Sequence, residues 1–541
     1  MPKLEPQVPP PPDYYAANLR TLFAHVRTFY GDLLQAEEAA FIETYGQLSC
    51  DAQRLYARLI TRKGPWLRCD KLRYGEVGDS DAAVAELATA GLIELNEPAP
   101  ADALLGLLTQ AERAEAFPDL ARARRDEWIL ECLSRHSDLR IRQVLAARYR
   151  WLSLAKPERL WTLQLLFFGD GHRDTSAFVL EDLGMVRYED YELKPQNRQF
   201  ANRPALERFL RLRHLSALSH RLEEHDGLAD WLLSALALPV HNRLEQRQRD
   251  RACNRVGHYF ERLRQFDGAL SAYGRSATHP SRERRARILS RLGNPAAAAA
   301  LSERMGSSAR CAEELDFSQR FRADAGRMQQ RSRAAIETTE LPLAEAPEAR
   351  IERHAAGLLA ASGGVVFHFE NALPLGLAGL LFWDVVYAKL PGVFANRFQA
   401  APLDLFWPDF AESRRDAIEA RTELLKAPGA VRAALQETCQ RKSGAANRLV
   451  SWRHLTPETL NLLLEGIPEY ALLALARHVI SAPYRTRRGF PDLTVIYGPG
   501  SFEFVEVKGP TDQLQPGQRI WFETLEHLEL PARVLKFRAC S

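Results

Sequence analysis

The hydrophobic pattern reads as helix along most of this chain and as strand only near its C-terminus. Residues 1–12, MPKLEPQVPPPP, are Pro-rich and read as a disordered or extended tail. From Tyr14 to about Leu95 the pattern is mostly helical. Within it, RLYARLITRKGPWLRCDKLRYGEVGDSDAAVAELATAGLIEL predicts a helix, a basic loop, a second helix ending at Gly91 and a short strand, LIEL. Residues 101–136 predict short helices, ADALLGLLTQAERAEAF and RRDEWILECLSRH, and 139–200 are mixed, with FVLEDLGMVRYEDYEL read as holding a strand. From about 205 to 345 the pattern is helical throughout, with RSRAAIETTELPLAEAPEAR (331–350) as an Ala/Glu/Pro-rich connector. A helix is expected over about 374–388, ended by the turn LPGVF. The strand pattern comes last: the apolar run LTVIY after Asp492, a GPG turn, then FEFVEVK.

At 541 residues the chain exceeds a single core and predicts three or four domains. Apolar content of 46% and charged content of 26% are ordinary for a globular protein, and a net charge of +3 announces no polyanion partner. Positive charge is instead local, in ARARR (121–125), RLEQRQRDR (243–251) and SRERRARILSR (281–291). Such runs suit phosphate contacts, although a charge run is more often a solvated helix face. The seven cysteines are scattered and odd in number, with no CxxC pair, which argues against a disulfide framework and a zinc finger. No secretory signal and no membrane-length apolar stretch is read, so a cytoplasmic protein is expected.

The C-terminal hairpin carries the chemistry. On a strand, residues i and i+2 point the same way. Glu506 and Lys508 therefore share a face, and the GPG turn brings Asp492 beside them. Two carboxylates can hold a hard divalent cation through oxygen, and an ammonium beside them can hold or polarise a water. Otherwise Asp492 is a turn cap, and Glu506 and Lys508 are a solvated cross-strand pair. Arg62, Lys63, Arg68, Lys71 and Arg73 gather on the N-terminal basic loop around Trp66. That set suits DNA backbone contact, or Trp66 simply packs the loop onto the core. Arg414, Arg415, Arg485, Arg487 and Arg488 are further candidates for gripping phosphates.

The string GFPDL, turn, EVKGPTDQL, GQRIW resembles the PD-(D/E)xK nuclease core, and within it the VRR-nuclease branch. More widely, the chain resembles the Fanconi-associated nuclease family of structure-specific DNA-repair enzymes. Glu370, GLLFWD (379–384), PGVFANRF, PLDLF, SRR (413–415) and SWRHL carry that likeness, most specifically after residue 360. The 54–95 segment resembles a winged helix, 101–136 a SAP-type DNA-binding hairpin, and RACNRVGHYFERLRQFDGALSAYGRSA a tetratricopeptide (TPR) pair.

The fold class implied is multidomain and mainly α, with helical N-terminal and SAP-like DNA-binding modules, TPR-like helical repeats and a C-terminal α/β PD-(D/E)xK nuclease domain. The boundaries are 1–12 for the tail, 13–97 for the winged-helix-like domain, 98–200 for the SAP-like region, 201–345 for the repeats and 360–541 for the nuclease. The resemblance implies that Glu370, Asp492, Glu506 and the main-chain carbonyl of Val507 bind Mg²⁺ or Mn²⁺. Lys508 would be the catalytic lysine and Gln518 a residue that orients it, while Asp384 is read as bonding within the core instead. Branched or flapped DNA is the implied partner, with 5′-flap endonuclease and 5′-to-3′ exonuclease activity of the phosphodiesterase I type in repair such as that of interstrand cross-links. Eukaryotic relatives carry a ubiquitin-binding zinc finger; the chain begins directly with the helical module, so ubiquitin recruitment is not expected. The alternatives are a VRR nuclease acting as a Holliday-junction resolvase and a non-catalytic DNA-binding repeat scaffold.

Overall fold

The computed structural model describes residues 13–62, 64–120, 123–169, 187–329, 336–343 and 350–539. The Pro-rich segment 1–12, Lys63 and much of the strand expected within 178–193 lie outside them. The chain divides into two compact units, residues 1–186 with 193–199 and residues 187–192 with 200–541.

The first unit opens with helices Tyr14–Tyr30, Ala36–Gln47 and Cys50–Leu59. Ser49 caps the third, its hydroxyl accepting from the Ala52 N–H and so satisfying one of the unpaired donors of a helix start. Leu22, Phe23, Val26, Leu55 and Tyr56 form the core between these helices. The basic loop, the helix Ser80–Thr89 and a final strand follow in the expected order. Strands β1 (Trp66–Arg68) and β2 (Ile93–Leu95) do not pair with each other. A third strand, β3 (Trp151–Leu154), lies between them and runs antiparallel to both, with Leu67 opposite Leu152 and Glu94 opposite Ser153. It arrives only after the helices spanning 101–146, so the expected boundary at 97/98 falls inside one sheet rather than between two domains. Three-residue strands are too short to stand as an isolated pair, and the central strand joins them.

In the second unit, helices Arg203–Leu218, Leu228–Ala235, Arg243–Arg262, Phe266–Gly274 and Ser281–Arg291 pack around a core of leucines, alanines and Tyr273, and Pro295–Ser307 and Ala312–Arg320 pack with Ala286 around a second core of Leu301, Met305 and Phe317. Helix was expected as far as 345, but it ends at Arg320. A short hairpin, β4 (Phe321–Arg322) with β5 (Arg327–Met328), follows. Strand β6 (Thr338–Leu343) then occupies part of the presumed connector.

β6 is the edge of a five-stranded sheet with β7 (Val365–His368), β8 (Leu493–Gly498), β9 (Ser501–Lys508) and β10 (Ala532–Ala539), in the order β6-β10-β9-β8-β7. β10 is parallel to both β6 and β9, whereas β8 is antiparallel to β9 and β7. The alternation within each strand sorts its side chains onto two faces. Leu493, Val495, Val505, Val507, Leu535 and Phe537 pack with Ala355 and Leu359 of the helix Ile351–Ala361. Phe504 turns to the other face, against Phe490 and so toward Trp521 of the helix Pro516–His527. Glu506 and Lys508 share that second face by the same alternation.

The helix expected over 374–388 is two pieces, Ala372–Leu381 and Trp383–Val386, separated at Phe382. Gly376 lies so close to the segment beneath that a β-carbon there would stand 2.1 Å from the Leu455 side chain. No single helix among the described residues is long and apolar enough to cross a membrane.

One buried ion pair secures the loop that follows. The Arg414 guanidinium donates to both carboxylate oxygens of Asp404, at 2.8 and 3.0 Å, and to the Val385 carbonyl at 3.1 Å. Both side chains are almost fully buried, at 0% and 2% exposure. Removing one partner strands the other charge in the core. Arg414→Ala is therefore expected to destabilise the unit by about 3–5 kcal/mol, and an Asp404→Leu/Arg414→Met double variant to recover most of that. Denaturant midpoints of the three proteins check this; a single variant as stable as wild type would refute it.

Candidate active site

The β8–β9 hairpin builds the site from its register. Leu493 lies opposite Val505, so Asp492, one residue earlier, comes opposite Glu506. The Asp492 carboxylate accepts from the Val507 N–H at 2.9 Å. Glu506 is 1% exposed, and the Lys508 ammonium stands 2.8 Å from its Oε1. The three residues expected to converge do so.

Gln518 is held at both ends of its amide. Its Oε1 accepts from the Gln515 N–H at 2.9 Å as half of a capping box, and its Nε2 donates to Glu506 Oε1. One amide oxygen accepting and one nitrogen donating leave a single orientation compatible with both contacts. Glu506 Oε1 thus receives two donors, while the buried Oε2 has none. The structure places Gln518 against Glu506 rather than against the lysine it was expected to orient.

The loop before Asp492 is pressed onto the same helix. Gly489 has a φ of +97°, and a β-carbon there would lie 2.5 Å from the Gly517 carbonyl carbon, so both conformation and space demand glycine. Trp521 Nε1 donates to the Arg488 carbonyl at 3.2 Å. The Phe490 N–H donates to the Asn371 side chain at 3.1 Å, and the Glu370 N–H to the Asp492 carbonyl at 3.2 Å. Glu370 itself has a φ of +46°, a left-handed conformation uncommon outside glycine. Its side chain is exposed.

Burial above all, then the Asp492 charge, pushes the Glu506 carboxyl up to about 7 against the pull of Lys508. Asp492 is also raised, by burial first and by Glu370 and Glu352 in part, with the Val507 N–H and Lys508 opposing. Glu370 therefore reaches the pair by charge. It is not drawn into a ready-made cluster, since no three His, Cys, Asp or Glu side chains among the described residues stand where they could hold a metal. The fit to a divalent cation rests on the pair. Two adjoining carboxylates, one with a bare buried oxygen, form the oxygen-rich, anionic donor set that hard cations take, and a cation would lift the cost of burying them. Asp384 is exposed, contrary to the expectation that it bonds within the core.

The basic candidates separate by partner. Arg414 is corrected to a structural residue, because a buried guanidinium committed to Asp404 cannot reach a phosphate. Arg68 is likewise corrected: its side chain is 3% exposed, lies between Asp70 and Glu112, and stacks over Tyr149. Lys71 is paired with Glu112, Arg415 with Glu412, and Arg62 donates to the Tyr74 hydroxyl. Arg485 is half-buried, whereas Arg487 and Arg488 are exposed. Trp66 packs against the core of its unit. Sequence reading missed Asn371, Glu352 and Gln515. Only Gln515 had a local signal, the three-residue spacing of a capping box.

Comparison with known proteins gives the family. The family described as VRR-NUC domain matches residues 426–539, and that described as FAN1, HTH domain matches residues 13–94. Fold and site together define a nuclease of the VRR-NUC class. The Fanconi-associated nuclease 1 homolog of Pseudomonas aeruginosa is 32% identical, over 98% of this chain and 96% of its own length. The Arabidopsis thaliana homolog is 25% identical, over 99% of this chain and 68% of its own. A crystal structure of paFAN1 bound to 2nt 5′ flap DNA with gap aligns with a TM-score of 0.85 at 30% identity, covering 99% of this chain and 100% of that one. The chain belongs to the Fanconi-associated nuclease 1 family.

A stability test follows from Glu506. Its raised carboxyl means that the folded protein binds this proton more tightly than the unfolded chain. Its contribution is fully present below about pH 4.5 and is lost as pH rises through about 7. In chelator, Glu506→Gln should therefore gain roughly 3 kcal/mol relative to wild type between pH 5 and 8. Paired denaturant titrations measure the gap; a gap that does not change with pH would overturn this account of the site.

Proposed function

We propose that this protein is a structure-specific DNA nuclease that cuts 5′-flap and related branched DNA with Mg²⁺ or Mn²⁺, as a PD-(D/E)xK phosphodiesterase. The observation that carries the reading is the Asp492–Glu506 pair on one sheet face, Asp492 half-buried and Glu506 buried with an unpartnered oxygen, with Lys508 beside it. Further support comes from the solved relatives, whose crystals hold paFAN1 on 1nt and 2nt 5′ flap DNA. The same reading assigns 5′-to-3′ exonuclease action of the phosphodiesterase I type and a role in repair such as that of cross-links. It also assigns a SAP-like DNA-binding character to the segment 98–200, TPR-like repeats to the helices within the expected 201–345, which end at Arg320, and the nuclease domain to 360–541 with β6 as its outlying strand.

Asp492, Glu506 and the Val507 carbonyl would hold the cation, with Glu370 adding negative charge close by. When bound, the cation supplies Lewis acidity to the scissile phosphate and acidity to the attacking water. The chain's own groups do the rest. Gln518 fixes Glu506 Oε1 so that Oε2 is the oxygen left free. Lys508, on the same face, holds the attacking water or donates to the phosphate oxygens as negative charge gathers on them. None of these groups reads a base, so selectivity comes from the shape of the DNA that the helical modules hold.

The test is incision of end-labelled 5′-flap, 3′-flap, four-way and duplex DNA with either metal. Wild type should favour the 5′ flap, and Asp492→Ala should slow cutting at least about a hundredfold, a loss of roughly 3 kcal/mol of transition-state stabilisation. Preference for the four-way junction would replace this reading with a resolvase, and binding without cutting would leave a scaffold. Gln518→Ala tests the positioning role separately. It should raise the half-saturating Mn²⁺ concentration about 10–100-fold while leaving DNA affinity in chelator unchanged. An unchanged metal requirement would remove Gln518 from the site.

A further inference from the structure

Two arginines near the nuclease site share a single aromatic ring. Phe406 is a half-buried ring in the loop that the Asp404–Arg414 pair secures, with buried Leu405 and Trp407 on either side of it in sequence. The Arg448 and Arg487 guanidinium carbons stand 5.5 and 5.7 Å from the centroid of this one ring, both within cation–π range. Both arginines are exposed. Among the described residues neither has a carboxylate partner, in contrast to Arg414 and Arg415 beside them in the fold.

Two like charges gathered at one ring repel each other, so an exposed cation–π contact does not by itself account for the pairing. An anion bound by both guanidiniums would offset that repulsion. The ring orders two long side chains in advance, which lowers the rotamer entropy lost on binding. Both backbones are fixed as well. The Arg448 N–H donates to the Ala400 carbonyl at 2.9 Å, and the Arg487 loop is pinned through Arg488 and Gly489 to the helix that carries Gln518. Arg487 precedes Asp492 by five residues, so their backbones lie within about 18 Å of each other. That reach spans a few nucleotides of a bound strand.

We propose that Arg448 and Arg487, ordered together on the Phe406 ring, clamp the phosphodiester backbone of the DNA strand a few nucleotides from the bond that is cut. The clamp rests on the nuclease reading above and extends it to a phosphate subsite built from three separate segments of the chain. Its role is to set register and affinity, not to take part in the chemistry.

The test is 5′-flap DNA affinity in chelator across a salt series, together with single-turnover cleavage at saturating DNA. Arg448→Ala and Arg487→Ala should each raise Kd about three- to tenfold and flatten the dependence of log K on log salt by about one. The saturated cleavage rate should move by less than about threefold. Phe406→Leu keeps both charges, so it should weaken binding with the salt slope unchanged. Thermal melts confirm that each variant folds. Unchanged Kd and slope in both folded arginine variants would overturn the clamp, as would a loss of saturated rate with Kd intact. If wild type cuts nothing with either metal, the nuclease reading fails, and the salt slopes still report on the clamp.

Discussion

Glu506 is a carboxylate with one oxygen crowded by donors and the other bare, held in the interior of a sheet face. Burying an ionised oxygen without a partner is among the most costly arrangements a fold can keep, and it persists only where the surroundings leave no escape. Here the strand fixes the direction of the side chain, and Lys508 and Gln518 take the same oxygen. Asp492 enters from the opposite strand with its own charge. Burial and the Asp492 charge oppose its ionisation, Lys508 favours it, and the strand and the two donors hold the side chain in place. On the proposed reading, a cation bound there would relieve that cost.

This constraint explains why glycines and caps, rather than charged residues, dominate the supporting structure. Gly489 lets the Asp492 loop touch the backbone at Gly517, and that contact sets the start of the helix carrying Gln518. Trp521 and Phe490 then wedge the loop and helix against the sheet. Moving any of these displaces Glu506 or Asp492 without touching either carboxylate.

The hairpin was readable from sequence because its information is local: a turn, a two-residue alternation, and a carboxylate just outside the strand. The place of β6 was not. Thr338 pairs with Val534, almost the whole nuclease region away in sequence, and an Ala/Glu/Pro-rich composition conceals the strand. The same holds for β3, which closes the N-terminal sheet from beyond an inserted run of helices. Arginine roles were illegible for a related reason. Arg414 and Arg415 are neighbours in sequence, yet one is buried on Asp404 and the other exposed on Glu412. Charge type is local information, whereas the partner that uses up the charge is not.

Glu370 shows how far geometry adds to a motif. As a lone acid before an apolar helix it looks like an N-terminal charge placed for the helix dipole. Its left-handed backbone, its N–H on the Asp492 carbonyl and its electrostatic reach to Asp492 and Glu506 point elsewhere. A residue serving only the dipole gains nothing from a strained φ, and a left-handed glutamate persists only when surrounding contacts over-determine it. Those contacts here run to Asp492, directly and through Asn371 and Phe490. Its backbone is fixed to Asp492 while its side chain stays exposed, so on the proposed reading Glu370 would meet a cation without adding a third carboxylate to the interior. The two carboxyls beside Lys508 are already raised, by burial first and by neighbouring carboxylate charge, and a third buried there would raise them further.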